Sequence, residues 1–356
     1  MIDTDAVVIG AGPVGLFQLF QLGLLGIKAE IIDVLPEAGG QCVALYPDKP
    51  IYDIPGIAVC TGRELAQQLL TQAQPFMPSD RFGAPARNLH LGHLVSELTA
   101  RSEGGFELHT DKGLQLRCRV IFVAAGAGAF MPRGLNLPLL DTASNVHYHL
   151  EAPLLSATPW AGQHVVISGG GDEALAAVLA LAEHPDPSQR PAKLTLLHRR
   201  DQFQADPTLD ARVRIMQTSG QVTLVVGMPT GAEVSDGHLD SLTVLGADGQ
   251  TQSLVLDHLL IRQGLSPKLG PLTQWGMALD RKQVAVSASS FESSTAGIYA
   301  VGDINTYPGK KRLLLCGFHE ATLAAHHAAT MLNPDAPQHL LYTTTSPLLH
   351  QRLGLI

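Results

Sequence analysis

Three glycines and an acid near the amino terminus have the types and spacing of a dinucleotide-binding turn. Gly10, Gly12 and Gly15 stand between an apolar strand pattern, DAVVIG, and a helix pattern that runs to about Leu25. Asp33 ends the next strand pattern, close to the spacing of about twenty residues typical of such motifs. A helix beginning here would bind a diphosphate through its backbone N–H groups, and Asp33 would accept a hydrogen bond from a ribose hydroxyl. An ordinary tight turn is the alternative, but the strand, the glycines, the helix and the acid occur together.

A second glycine turn follows in the middle of the chain. Gly169, Gly170 and Gly171 stand between a strand pattern and an alanine-rich helix pattern. The next strand pattern ends in Arg199 and Arg200 and not in an acid. Because a guanidinium group pairs bidentately with a 2′-phosphate, the first turn suits FAD or NAD and the second suits NADP. The alternative for the two arginines is a solvated cluster that caps a helix.

A third pattern, near the carboxyl terminus, brings another carboxylate to the end of a strand. The run GIYAVGD predicts a buried strand that ends at Asp303, and a helix pattern then runs to about Leu332. Asp303 can accept a hydrogen bond from a hydroxyl group of a bound cofactor. The amino-terminal end of the following helix carries a partial positive charge, which would stabilise negative charge on a flavin ring.

Composition indicates a globular protein with no nucleic-acid or membrane partner. The chain has 356 residues, of which 45% are hydrophobic and 16% charged, so we expect two domains with substantial cores. A net charge of −8 disfavours binding to nucleic acid. The most apolar stretch, 14–27, contains two glutamines and is too short to cross a membrane. The acidic start lacks the positive charge of a signal peptide, which favours a cytoplasmic location.

The cysteines and histidines lack the spacing of a metal site. The chain contains Cys42, Cys60, Cys118 and Cys316, and none of them forms a C-x-x-C motif. Three histidines near the carboxyl terminus share one face of a predicted helix, but no acid or thiolate stands at ligand spacing from them. We therefore expect no metal and no disulfide framework, in agreement with a reduced compartment.

Together, these stretches resemble flavoproteins with two dinucleotide-binding domains, and among them the ferredoxin/flavodoxin–NADP reductases of the thioredoxin-reductase-like type. The matching stretches are GAGPVGL, GGQ followed by LYPDKPIYDIPG, GAFMPR, GGGDEA, HRRDQF and GIYAVGDINTYPGKKRLLLCGFHEA. They span almost the whole chain, and LYPDKPIYDIPG and GDINTYPGK are the most specific because thioredoxin reductases proper lack them.

The resemblance implies an α/β fold with two Rossmann-like domains, an NADPH domain inserted into a discontinuous FAD domain, and a homodimer. We place the FAD domain at 1–127 and 282–356 and the NADPH domain at 128–281. The resemblance further implies FAD contacts at Asp33, Gln41, Tyr46, Val95, Phe130, Asp303 and Thr345, with Tyr52 near the flavin ring. It places the NADPH phosphates on the turn Gly169–Gly171, with Arg199 and Arg200 at the 2′-phosphate.

The chain departs from the family pattern at three places. Glu173 stands where the family usually has serine in Gly-Gly-Gly-Asp-Ser-Ala, and an added carboxylate near a diphosphate is unfavourable unless it points away. Ala127 replaces the asparagine of Ala-Gly-Asn-Gly. The usual His-Ser-Thr-Ser run is here 342–346, YTTTS, so Tyr342 is one candidate for the ring that covers the exposed flavin face.

The electron route follows from a missing cysteine. Pro47 stands where glutathione-reductase-like enzymes have a second cysteine after Cys42, and the stretch 145–150 lacks the C-x-x-C of thioredoxin reductases. We therefore expect electrons to pass from NADPH to FAD and from FAD directly to a protein with a one-electron redox centre. Cys42 is then expected to be a small packing residue, and the alternative is that it acts as a thiol–sulfenate centre.

The predicted function is an FAD-dependent oxidoreductase that passes electrons from NADPH to ferredoxin or flavodoxin. Two other hypotheses remain open, a flavin diaphorase or oxidase that reduces quinones or oxygen, and a non-catalytic redox sensor. Lys310, Lys311 and Arg312 follow the predicted flavin-contacting strand. We expect them either to dock an acidic redox protein or to form a solvated turn.

Overall fold

The computed structural model describes residues 1–78, 86–148, 160–335 and 339–356. Their contacts divide the chain into two compact units. Unit 1 comprises Met1–Phe130 and Pro267–Ile356, and unit 2 comprises Met131–Ser266. One α/β unit is thus inserted into another, which confirms the predicted fold class.

The unit boundaries differ from the domain boundaries expected from the sequence, which fall after residues 127 and 281. The contacts place them after residues 130 and 266. The second difference has a physical reason, since Leu272, Trp275 and Met277 pack in the same core cluster as Val7 of unit 1. The segment 267–281 therefore belongs to unit 1. Ala129–Pro132 and Leu265–Lys268, the two segments that link the units, pair as a two-stranded sheet.

Unit 1 is built on a parallel sheet that, in the described residues, has five strands. In spatial order these are Ile298–Ala300, Val120–Val123, Ala6–Ile9, Ala29–Asp33 and Leu89–Leu91. Side chains alternate between two cores. Val8 and Phe122 pack towards the helices, whereas Val7 and Ile121 pack towards a second sheet. Burial on both faces explains the uninterrupted apolar runs of these strands.

The remaining elements of unit 1 cover the two faces of this sheet. The second sheet has the strand order Ile2–Asp3, Gln115–Cys118, Phe106–Thr110 and Val95–Ala100. Small sheets pair Pro50–Ile51 with Cys60–Thr61, and Leu279–Asp280 with Gln283–Ala285 and Asn305–Thr306. The α-helices are Pro13–Leu24, Gln41–Ala44, Gly62–Ala73, Leu314–Leu332 and Pro347–Arg352, with 3-10 turns at Gln74–Phe76, Gly270–Gln274 and Gly302–Ile304.

Unit 2 repeats this plan around its own parallel sheet. In the described residues its strand order is Val146–His147, His258–Arg262, His164–Gly169, Lys193–His198 and Thr223–Val226. The helices Asp172–Ala182 and Pro207–Thr218 cover one face, with 3-10 turns at Pro138–Thr142 and Pro187–Gln189. An antiparallel sheet of Met228–Ser235, His238–Leu245 and Thr251–Val255 contributes to the core on the other face.

No helix among the described residues combines the length and the apolar character needed to cross a membrane.

Candidate functional site

The first glycine turn is shaped for close packing at two positions and for open space at the third. A Cβ atom added to Gly10 would lie 2.4 Å from the carbonyl oxygen of Ala124, and one added to Gly15 would lie 1.8 Å from the carbonyl oxygen of Gly10. A Cβ atom on Gly12 would meet nothing nearer than the Cα atom of Gly40, at 3.8 Å. Gly10 and Gly15 thus allow the strand and the helix to approach closely, while Gly12 leaves room beside them, which is the division of roles that a diphosphate-binding turn needs.

The helix Pro13–Leu24 begins at this open position. Gly12 is its N-cap, and no side chain among the described residues accepts a hydrogen bond from its first turn. Proline at the first helical position has no N–H group to satisfy, so the next two N–H groups remain available to an anionic ligand.

Asp33 is fixed beside the same turn. Its carboxylate is 8% exposed and accepts hydrogen bonds from the backbone N–H of Ala11 at 2.5 Å and of Leu35 at 2.8 Å. Burial raises the pKa of Asp33, although these backbone hydrogen bonds act to lower it. Because a carboxylate has about four acceptor positions, Asp33 retains capacity for a ligand hydroxyl.

One cavity of unit 1 brings together most of the predicted FAD residues. Its lining includes Gly10, Gly12, Asp33, Gln41, Tyr46, Val95 and Asp303. Gly10, Asp33 and Asp303 lie at three separate strand ends of the parallel sheet, whereas Val95 begins a strand of the second sheet. Gln41 ends the GGQ segment, whose Gly39 N–H donates to the carbonyl oxygen of Ala11 at 2.8 Å, and Tyr46 follows that segment. The parallel sheet therefore brings together, at one edge, strand-end residues that are almost 300 positions apart in the sequence.

Of the predicted FAD residues, Gly15, Tyr52 and Thr345 are not among the described residues that line this cavity. The side chain of Tyr52 is 71% exposed. Thr345 is exposed, and its backbone N–H donates to the carbonyl oxygen of Tyr342 at 3.1 Å. The side chain of Phe130 lies outside the part of the chain that the structure describes. Their roles at the flavin stay predictions.

Cys42 lines the cavity without a thiol partner. Its sulfur lies 3.4 Å from the hydroxyl oxygen of Tyr46, and the described residues contain free cysteines at all four positions. Burial raises the pKa of the Cys42 thiol, so the reactive thiolate is disfavoured at neutral pH. This environment favours the packing role of Cys42 over a thiol–sulfenate role.

The turn that carries Asp303 is held by a buried acid that the sequence analysis did not identify. Glu320 is fully buried, and its carboxylate accepts hydrogen bonds from the Gly302 N–H at 2.7 Å and from the Tyr307 hydroxyl at 2.9 Å. Lys310 donates to the same carboxylate at 2.5 Å and to the carbonyl oxygen of Gly302 at 2.8 Å. The only signal in the sequence was an acid on the inner face of a helix.

The same contacts correct one prediction. Lys310 was expected to be exposed, in either a docking patch or a solvated turn, yet its side chain is only 7% exposed because it forms a buried ion pair with Glu320. Lys311 and Arg312 are exposed, and Arg312 also lines the cavity. Burial raises the pKa of Asp303, against the positive charges of Lys310 and Arg312, which lower it.

Unit 2 places the second glycine turn and the two arginines on neighbouring strands. A Cβ atom on Gly169 would lie 2.2 Å from the carbonyl oxygen of Arg262, and Gly171 is the N-cap of the helix Asp172–Ala182. The strand Lys193–His198 pairs in parallel with the strand that ends at Gly169, and Arg199 and Arg200 follow it, exposed. Parallel strands end at a common edge, so both arginines lie at the glycine-turn edge of the sheet.

Comparisons with known proteins agree with this arrangement. The family model for pyridine nucleotide-disulphide oxidoreductases matches residues 4–330. A protein from Methylibium petroleiphilum named ferredoxin–NADP reductase is 49% identical over 356 residues, which cover 99% of this chain and 93% of that protein. A protein of the same name from Paracidovorax citrulli is 49% identical over 363 residues, covering 100% of this chain and 97% of that protein.

Solved structures share the fold. A thioredoxin reductase from Gloeobacter violaceus has a TM-score of 0.56 at 18% identity, covering 96% of this chain and 98% of that one. A bacillithiol disulfide reductase from Staphylococcus aureus has a TM-score of 0.58 at 16% identity, covering 94% and 100%. At such low identity these likenesses show the fold alone. The family model and the two relatives, matched over 93% and 97% of their length, show that the chain belongs to the pyridine nucleotide-disulphide oxidoreductase family and, within it, to the ferredoxin–NADP reductases of the thioredoxin-reductase-like type.

Proposed function

We propose that this protein passes electrons from NADPH, through FAD bound in unit 1, to ferredoxin or flavodoxin, without a redox-active disulfide. The observation that carries the proposal is the cavity of unit 1. It combines a glycine turn, the buried Asp33 carboxylate, the partly buried Asp303 carboxylate and the thiol of Cys42, which forms no disulfide. The two relatives named ferredoxin–NADP reductase, matched over 93% and 97% of their length, support the same activity.

Membership of the family implies an FAD-binding flavoprotein, and the residues of unit 1 fit that cofactor. The space at Gly12, where a Cβ atom would extend into the cavity, suits a diphosphate at the start of the helix Pro13–Leu24. Asp33 would accept a hydrogen bond from the adenosine ribose, and Asp303 would accept one from the ribityl chain. When bound, FAD accepts two electrons together and releases them one at a time.

The cavity also has features that favour negative charge. Arg312, Leu313 and Leu314 line it, so the helix Leu314–Leu332 begins there, and no side chain among the described residues caps that helix. The positive end of the helix and the Arg312 guanidinium would stabilise the negative charge that reduction adds. No acid or base from the chain is required for this step.

Unit 2 is the proposed NADPH domain. Gly169, Gly170 and Gly171 would receive the diphosphate, and the exposed Arg199 and Arg200 would pair with the 2′-phosphate. Lys311 and Arg312 are the proposed docking cations for an acidic redox protein. Lys310 is not among them because it is buried against Glu320. A homodimer is the proposed assembly, on the strength of the family resemblance.

Two measurements on the purified protein test this function. We expect an absorption spectrum of bound flavin that bleaches when NADPH is added without oxygen. We also expect cytochrome c reduction by NADPH to be strongly stimulated by ferredoxin or flavodoxin. Rapid NADPH oxidation without any stimulation would favour a diaphorase or oxidase, and a flavin that NADPH does not bleach would favour a sensor.

A further inference from the structure

The proposed NADPH turn carries a carboxylate that a diphosphate site does not normally tolerate. Asp172 and Glu173 both lie in the first turn of the helix Asp172–Ala182. The Asp172 carboxylate is engaged, since it accepts the backbone N–H of Asp206 at 2.6 Å. The Glu173 side chain is 48% exposed, so its charge is not removed by burial. An uncompensated carboxylate here would repel a diphosphate at the helix start.

An arginine from another strand lies opposite this carboxylate. Arg262 ends the strand His258–Arg262 and pairs in register with Gly169, the first glycine of the turn. One guanidinium nitrogen, Nη2, lies 3.8 Å from Oε2 of Glu173, which is an ion-pair distance and too long for a good hydrogen bond. The charges of Arg262 and Glu173 therefore offset each other at the edge of the glycine turn.

Burial and a hydrogen bond to the backbone hold Arg262 in this position. Its side chain is 16% exposed, and Nη1 donates to the carbonyl oxygen of Tyr148 at 2.9 Å. Its Nε atom is buried and has no hydrogen-bond partner within the described residues. This mostly buried guanidinium group is a fixed positive charge, and among the described residues Glu173 is the acid that forms an ion pair with it.

We propose that Arg262 is a positioning residue that makes the Glu173-containing turn compatible with a dinucleotide diphosphate. Arg262 neutralises Glu173 and holds its carboxylate away from the glycines, and it does not itself bind the ligand. The inference rests on the proposed NADPH-binding function of unit 2. Since NADPH and NADH share the diphosphate, the pair sets the affinity for both, whereas Arg199 and Arg200 act only on the 2′-phosphate.

A double-mutant cycle on the full-length, FAD-loaded protein tests this proposal, with dissociation constants for NADP⁺ and NAD⁺ measured by calorimetry. We expect Arg262→Met to raise both constants by about fivefold and to leave their ratio unchanged, a size typical of a partly exposed charge pair. Glu173→Ser, which restores a neutral side chain, should lower both constants. The double variant should return to within about twofold of Glu173→Ser, because the arginine has nothing left to neutralise.

Three outcomes would overturn the proposal. The first is an Arg262→Met protein that folds normally and leaves both constants unchanged. The second is a double variant that binds as weakly as Arg262→Met alone, and the third is a change in the NADP⁺ constant alone. If Arg262→Met does not fold, Arg262→Lys and Glu173→Ser keep the test open, since the first should retain affinity and the second should tighten it. A wild-type protein that binds neither nucleotide would instead contradict the proposed function of unit 2.

Discussion

The Nζ atom of Lys310 lies 2.5 Å from Oε1 of Glu320, in a pair that is almost wholly removed from solvent. Glu320 also accepts a hydrogen bond from the backbone N–H of Gly302, which directly precedes Asp303. The pair therefore ties the helix Leu314–Leu332 to the turn that brings a carboxylate into the cavity. Its role is to hold that turn, and an exposed cation at Lys310 is not available to a partner protein.

Removing one charge of this pair should destabilise the protein. Glu320→Gln leaves Lys310 as a buried, unpaired charge, so we expect the free energy of unfolding to fall by about 3 kcal/mol or more. FAD should also dissociate more readily, because both oxygens of Glu320 accept hydrogen bonds around the Gly302–Asp303 turn and the variant replaces one of them with an NH2 donor. Lys311→Met is the matched control, since that neighbouring lysine is exposed and its loss should cost about 0.5 kcal/mol or less. Equal stability of the two variants in chemical denaturation would contradict the assignment.

Two glycines of one turn should respond in opposite ways to the same added methyl group. Gly12→Ala should leave the stability of the apoprotein unchanged, because the new Cβ meets no atom nearer than 3.8 Å, yet it should weaken FAD binding. Gly15→Ala should destabilise the fold by about 3 kcal/mol, since its Cβ would lie 1.8 Å from a backbone oxygen. Thermal unfolding and the flavin content after dialysis measure the two effects. A Gly12→Ala protein that retains FAD fully would contradict the placement of the diphosphate.

Losing the two exposed arginines of unit 2 should narrow the preference for NADPH over NADH. Each charge-assisted contact with the 2′-phosphate is worth about 1.5–3 kcal/mol, so Arg199→Ala with Arg200→Ala should change the preference at least about tenfold. Arg212→Ala removes one positive charge from a partly exposed helix position that pairs with Glu183, and it should leave the preference intact. An unchanged preference in the double variant would mean that the 2′-phosphate is recognised elsewhere.

Reversing one exposed charge near the cavity should impair electron transfer to a protein acceptor but not to a small one. Lys311→Glu should raise the apparent KM for ferredoxin and weaken its dependence on salt, because electrostatic steering acts mainly on association. The rate with a small uncharged acceptor should hardly change. Lys282→Glu, an exposed lysine elsewhere in unit 1, is the control. If the two reversals raise KM equally, overall charge and not a docking site is responsible.

A buried thiol should make the protein less stable at alkaline pH. Burial raises the pKa of Cys118 to about 12 from an ordinary value of 9.0. Above pH 9 the unfolded chain loses this proton while the folded chain keeps it, so stability falls as the pH rises towards 12. Cys118→Ala should flatten that fall by up to about 1.4 kcal/mol per pH unit in denaturant titrations. An identical slope in the variant would show that the thiol ionises in the folded state.

Local patterns predicted the first glycine turn well. The helix expected to run to about Leu25 ends at Leu24, and the strand expected to end at Asp33 does so. Steric limits at Gly10 and Gly15 and the buried strands on either side fix this structure within one short segment, so the sequence displays it directly.

Features that depend on distant partners were predicted less well. Lys310 looked exposed because a run of cations usually is, and only the fold reveals that Glu320 faces it. Glu173 looked like an isolated departure from the family pattern, and its counter-charge, Arg262, lies on a strand almost ninety residues further along. Such pairs leave no local periodicity or spacing, so a single sequence does not reveal them.

The most direct test of an electron route without a disulfide is the reduction of ferredoxin by NADPH in a protein that lacks the cavity thiol. Cys42→Ser should retain FAD and reduce ferredoxin at close to the wild-type rate, as should the variant that also carries Cys60→Ser. The absorption spectrum of each variant confirms that flavin is present before the rate is measured. A variant that keeps its flavin and is bleached by NADPH, but no longer reduces ferredoxin, would contradict an electron route without a cysteine.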